Sequence, residues 1–288
     1  MDSRRDRDRL STLPEHLLFL IISKLPFKEA VKTSVLAKPW MHLLYGMTNV
    51  SFVESEFVNR SISSSALSVG LRSFALWLIG FQDFPVRSSK RRMEEAYLDF
   101  GTETDAEIGI LICDLLYDLL SARKLTVCPF IIKAIKDSDY PVHLKAPMET
   151  RHLVIKTNLV LVEFEGIRLM INSCPDLETL TFQMLPLVSV ARINHWFTAD
   201  TYWNFPIFHK CLKKTLKVVL VRNFTGGTYE SVMLWYLIGS CRVLERLDLY
   251  LPVETSESVK TSVRATMMTL GDEGVASSKG LWIRLHDG

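Results

Sequence analysis

The sequence predicts an α/β chain: a small helical module at the N-terminus, then a short solenoid in which parallel strands alternate with helices. Three observations carry this. Apolar residues recur at helical spacing between residues 12 and 38 and are interrupted at Pro26. From about residue 70, short β-type runs alternate with helical segments. One stretch of sequence also repeats at an offset of 67 residues.

Composition sets the frame for these elements. The chain has 288 residues, 48% of them hydrophobic and 23% charged, which is a globular balance with ample length for a core. With 34 Lys and Arg against 32 Asp and Glu, the formal charge is +2, so no general field draws in nucleic acid or an anionic membrane, and neither is expected as a partner. The first nine residues mix both charge signs and lead into only six strongly apolar residues, 17–22, too few for a secretory signal or a spanning helix. Five cysteines, at 113, 128, 174, 211 and 241, are odd in number and contain no CxxC pair. Buried thiols in a reducing compartment fit that pattern better than a disulfide or zinc framework. The expected location is therefore intracellular, in cytoplasm, nucleus or both.

The first helix is expected to start at a capping box, with Thr12 as N-cap and Glu15 reaching back. Leu17, Leu18, Ile21 and Leu25 then form one apolar face, and Pro26 ends it. A second helix is expected over 28–38, with Ala30, Val31, Ser34 and Val35 inward and Pro39 at its end. Two helices this short cannot bury their own apolar faces, so a third element or a partner must cover them. A serine-containing linker follows, and 88–92 reads as a charged surface loop.

Strands are expected at 71–76, 96–100, 125–127, 152–155, 180–182, 218–220 and 247–249. The last five start 27 to 38 residues apart, close to a leucine-rich-repeat period. Ser173-Cys174-Pro175-Asp176-Leu177-Glu178-Thr179-Leu180 matches Ser240-Cys241-Arg242-Val243-Leu244-Glu245-Arg246-Leu247 at five of eight positions. Each copy gives a helix end, a turn and alternate apolar residues: Leu177, Leu180 and Phe182, then Leu244, Leu247 and Leu249. Cys174 and Cys241 occupy equivalent places, which points to packing rather than reactivity. Asn158 and Asn223 stand where a side-chain amide could bond backbone groups at the bend after a strand. The region 70–252 is thus expected to stack its strands side by side.

No residue is assigned to catalysis, a cofactor or a metal. GxSxG, HExxH, Walker and GxGxxG patterns are absent from the sequence. His42, His195 and His209 lie singly beside apolar residues, and Asp114 and Asp118 belong to the solvated face of an amphipathic segment. Gly226-Gly227 lacks the Lys-Ser/Thr of a phosphate cradle and reads as a turn.

The N-terminal residues carry the informative motif. Leu10-Ser11-Thr12-Leu13-Pro14-Glu15-His16-Leu17-Leu18, Ile21-Ile22-Ser23-Lys24-Leu25-Pro26-Phe27-Lys28-Glu29-Ala30-Val31, Thr33-Ser34-Val35-Leu36-Ala37-Lys38, Trp40 and Leu43 together resemble the plant F-box over about residues 9–45. Downstream, 148–153, 166–180 and 211–247 resemble the leucine-rich and FBD segments of plant F-box/LRR/FBD proteins. The resemblance divides the chain into an F-box at 9–50, a linker at 51–69, a leucine-rich-repeat-like region at 70–205, an FBD-like segment at 206–252 and a divergent tail at 253–288.

The resemblance implies a non-catalytic substrate-receptor subunit of a Skp-cullin-F-box ubiquitin ligase. Its F-box would dock on a Skp-type adaptor and through it a cullin, while the repeats would recruit an unidentified protein substrate. The adaptor-binding residues it implies are Leu13, Pro14, Leu17, Leu18, Ile21, Leu25, Pro26, Val31, Ser34, Val35, Leu36 and Trp40. Pro39 and Leu44 stand where the family has Arg and Trp. They leave open an alternative, a repeat-based binding module whose degenerate F-box no longer reaches the ligase.

Overall fold

The computed structural model describes residues 13–26, 29, 30, 33, 43, 47–53, 93–100, 112, 113, 115–117, 119–136, 146–186, 210–272 and 280–287. A short helix, α1 (Glu15–Ile22), comes first. The strands β1 (Asn49–Val53), β2 (Glu95–Asp99) and β3 (Lys124–Val127) follow, then α2 (Pro129–Lys136) and β4 (His152–Thr157). Next come α3 (Leu161–Ser173), β5 (Thr179–Met184), α4 (Lys210–Lys214) and β6 (Val218–Arg222). The chain closes with α5 (Thr228–Ser240), β7 (Arg246–Tyr250), α6 (Glu257–Asp272) and β8 (Trp282–His286).

The strands form one parallel sheet in which spatial order equals sequence order, β1 to β8. Each strand pairs only with the strands before and after it, the topology of a solenoid rather than of a doubly wound sheet. Six of the seven expected strands are present; the run at 71–76, the 88–92 loop and Pro39 lie outside the described residues. Two strands were not anticipated. β1 crosses the position where the F-box was expected to give way to a linker. β8 follows a helix in the divergent tail, where Val263, Thr266 and Leu270 turn inward at helical spacing. Its alternation is short and its neighbours are polar, so periodicity alone does not mark it.

Side-chain alternation explains the core. Leu125, Leu153, Leu180, Val219 and Leu247 align in one row across the sheet, and Val127, Ile155, Phe182, Val221 and Leu249 in the next. All of them are buried. Helices cover this face: Phe164, Ile167, Met170 and Ile171 from α3, and Met233, Leu234, Leu237 and Ile238 from α5. Leu180 and Leu247 share a row, as the internal repeat requires. Cys174 and Cys241 are fully buried C-caps of α3 and α5. Gly166 lets α3 lie against α2, since a Cβ there would stand 2.1 Å from the Ile132 carbonyl oxygen.

The bends after the strands are held by side chains. The Asn158 amide donates to the Pro186 carbonyl at 2.8 Å and the Asn223 amide to the Met184 carbonyl at 2.9 Å, as expected from the sequence. Asn223 itself is left-handed, with φ 57. A second device was not anticipated. Glu163 and Glu230, at the third position of α3 and α5, are separated by the same 67 residues as the repeat. The Glu163 carboxylate accepts from the Thr157 hydroxyl at 2.5 Å and the Asn158 N–H at 3.1 Å. The Glu230 carboxylate accepts from the Thr225 N–H at 3.0 Å, the Thr225 hydroxyl at 2.9 Å and the Gly227 N–H at 2.8 Å. Both are buried acids that lock the strand-to-helix turn while meeting the positive end of the helix.

Candidate functional site: an apolar helix face and a charged strand face

The N-cap of α1 lies two residues later than the sequence suggests. It is Pro14, with no side-chain cap hydrogen bond, and Thr12 lies outside the described residues. Proline suits this place because its fixed φ is pre-set for the turn and it has no N–H to leave unsatisfied. The Pro14 carbonyl then accepts from Leu17 and Leu18 at 2.9 and 3.2 Å. At the far end, the Pro26 carbonyl accepts from Glu29 and Ala30 at 2.9 and 3.0 Å and starts the next turn.

The single apolar face read from the sequence is two faces in the structure. Leu18 and Ile22, one turn apart, are 8% and 2% exposed and pack with Ala30 and Leu43. Leu13, Phe19, Leu25 and Met47 are half-buried against that cluster. Leu17, Leu20 and Ile21 face outward, 39%, 54% and 45% exposed. Of the expected adaptor residues, Leu17 and Ile21 therefore lie on the outer face, Pro14 and Pro26 are exposed beside it, and Leu18 is internal. Leu20 belongs to the outer face and Ile22 to the core; both follow from the i, i+3, i+4 rule applied from Leu17 and Leu18. Val31, Ser34, Val35, Leu36 and Trp40 lie outside the described residues.

The second surface is the outward face of the sheet. In its N-terminal half the charges close on each other. Lys124 pairs with Glu95 at 2.7 Å, and Lys156 reaches Asp99 at 2.7 Å while donating to the Tyr97 hydroxyl. Partial burial alone would lower the Lys156 pKa; the hydrogen bonds and charge of Asp99 and Tyr97 outweigh it and raise it, so the ammonium is retained. Along the strand entrances, Arg151 pairs with Glu178 and Lys217 with Glu245, both at 2.9 Å. Such exposed pairs contribute little to stability and mainly fix side-chain direction.

The C-terminal half differs. Asp248, nearly buried, is gripped by Arg246 at 2.9 Å and lies 3.2 Å from the His286 ring nitrogen. The His286 ring stacks on Tyr250 at 4.4 Å between centroids. Trp282 is 66% exposed with the Arg284 guanidinium 5.8 Å from its ring.

The buried thiols are chemically quiet. Burial pushes the Cys211 thiol up to about 12 and lifts Cys174, Cys241 and Cys128 as well, so none carries the thiolate that nucleophilic or metal-binding chemistry needs. Among the described residues no cluster of three His, Cys, Asp or Glu side chains could hold a metal ion, and no helix is long and apolar enough to cross a membrane.

Comparison with known proteins places this geometry. The F-box domain family matches residues 10–48. An F-box protein of Arabidopsis thaliana is 44% identical over 191 residues, covering 66% of this chain and 41% of its own. A putative F-box/LRR-repeat protein of the same plant is 40% identical over 188 residues, 60% of this chain and 40% of its own. An F-box/FBD/LRR-repeat protein, also from Arabidopsis thaliana, is 29% identical over 190 residues, 60% of this chain and 40% of its own. The chain thus spans about two fifths of the length of these relatives. Its N-terminal segment, residues 10–48, matches the F-box domain, and the chain is similar to F-box, F-box/LRR-repeat and F-box/FBD/LRR-repeat proteins of Arabidopsis thaliana.

Proposed function

We propose that this protein is a non-catalytic substrate receptor of a Skp-cullin-F-box ubiquitin ligase. The F-box docks on a Skp-type adaptor, which links it to a cullin, and the strand face of the repeats holds a target protein. The observation that carries this reading is the outward row Leu17, Leu20 and Ile21 on a helix of eight residues inside an F-box domain. That much apolar surface on so small a module is stable in water only when something covers it. The segment 206–252 is taken as the FBD-like part of the receptor; it supplies β6 and β7 to the same sheet, with α5 between them in sequence. The chemistry is proximity: holding a target lysine near a charged conjugating enzyme raises effective concentration without a reacting group on this chain.

Capture of a purified Skp-type adaptor by the full chain tests the proposal. The wild type is expected to retain the adaptor, and Leu17→Asp with Ile21→Asp to release it. If the wild type fails and a Pro39→Arg, Leu44→Trp variant succeeds, the F-box is degenerate and the protein is a binding module outside the ligase.

A further inference from the structure

The two halves of the outward sheet face are electrostatically unequal. Every cation of β3 and β4 on that face that could serve a ligand is already closed by an acid of β2, Lys124 by Glu95 and Lys156 by Asp99. On β6 and β8 this is not so. Arg222 and Arg284 are exposed, and among the described residues neither makes an ion pair with an acidic side chain. The acid between them, Asp248, is nearly buried and committed to Arg246 and His286. Beside them stands Trp282, a large aromatic left 66% exposed, of the kind that anchors interfaces. Apolar surface adjoins the open arginines: Leu220, half-buried on the outward side of β6, stands one pleat repeat from Arg222 and in register with Arg284, and Val218 is in register with Trp282.

We propose that the outward face of β6–β8 is the docking site for an extended acidic segment of a partner protein. Glutamate or aspartate side chains pair with Arg222 and Arg284, and an apolar side chain rests on Leu220. This rests on the receptor reading and names the chemical class of target that the strand face selects. Register supports the spacing. Arg222 aligns with Tyr250 and His286, and Leu220 with Asp248 and Arg284. The two arginines are thus two strands and one pleat repeat apart, about 12 Å at the usual strand spacing and rise. An extended peptide covers that in about four residues, and because alternate side chains share a face the segment carries acids at i and i+4 with an apolar residue at i+2. A protein segment fits better than nucleic acid. Glu178 and Glu245 line the strand entrances and Asp248 sits between the arginines, a mixture that repels a continuous phosphate backbone but tolerates discrete carboxylates.

The test uses the full chain and a fluorescein-labelled peptide with glutamates four residues apart and a leucine midway between them, read by anisotropy. Saturable binding is expected. Replacing the glutamates by glutamine, or changing Arg222→Glu with Arg284→Glu, is expected to weaken it at least about tenfold each, while Lys124→Gln leaves it unchanged. Both arginines are exposed, so the double variant is expected to melt with the wild type; the glutamine peptide tests the same point without altering the protein. Equal binding of the glutamate and glutamine peptides, or full binding by a folded double variant, overturns the proposal. So does tighter binding of a single-stranded oligonucleotide that depends on the same arginines. Adaptor capture is measured on the same preparations. Capture without peptide binding refutes the acidic-segment site alone, and peptide binding without capture refutes the ligase reading alone.

Discussion

The helical module and the repeat sheet treat their apolar residues in opposite ways. Leu18 and Ile22 share a small core with Ala30 and Leu43, and three large apolar neighbours stay outside it. In the sheet, each inward position from β2 to β7 is covered by a helix or by the next repeat, and among the described residues exposure returns at the last strand, where Leu285 is 41% exposed. A few short turns of helix offer too little interior for the residues they carry, whereas a stack gains interior with every repeat. One region therefore leaves apolar surface uncovered, while the other covers its own by repetition.

Substitutions can break or sharpen that contrast. Phe182, fully buried in the middle of the sheet, should have the largest effect: Phe182→Ala is expected to cost about 3–5 kcal/mol in chemical denaturation of the repeats. On the outer face of α1 the opposite pattern is expected. Leu17→Ala with Ile21→Ala should weaken adaptor binding by about 4 kcal/mol, roughly a thousandfold, if each anchor is worth about 2 kcal/mol, with no change in the melting of the sheet. A matching loss of repeat stability would show that α1 is part of the sheet's folding unit.

Smaller effects probe how the repeats are held. Gly226 has φ 71, and a Cβ there would lie 2.9 Å from the Val263 backbone nitrogen, so Gly226→Ala should cost about 1–3 kcal/mol by thermal melting. Glu230 gives a pH signature. Burial, the dominant cause, raises its pKa above the ordinary carboxylate value despite the N–H donors of Gly227 and Thr225. The folded state then holds this proton more tightly than the unfolded one, so its stabilising contribution is full below the unfolded pKa and is lost as pH rises through the folded pKa. The difference in urea midpoint between wild type and Glu230→Gln should therefore shift in favour of the wild type as pH falls from neutrality through that window. Least of all, a thiol reagent should modify the half-buried Cys113 first and reach Cys174, Cys211 and Cys241 only at the rate of unfolding.

How much of this could be read from the chain depends on where each partner sits in sequence. The strands β3, β4, β5 and β7 were legible because a leucine and its i+2 neighbour mark an inward face locally, and the 173–180 and 240–247 copies repeat that mark. Asn158 and Asn223 were legible because a bend needs an amide just there. Glu163 and Glu230 were not: a glutamate in the first helical turn is ordinary, and only the fold shows that its partners are the N–H groups of the preceding bend. The outer face of α1 was half legible, since six apolar residues in succession fix a helix but not which stripe of it turns inward.

The strands β4, β5, β6 and β7 begin at 152, 179, 218 and 246, so the step from β5 to β6 is some eleven residues longer than the steps on either side. The ladder takes no notice: Leu180 still faces Val219, and Asn223 still reaches back to the end of β5. Architecture and chain length are uncoupled at this joint. The number of residues between Pro186 and Lys210 is thus not set by the spacing of the strands they join.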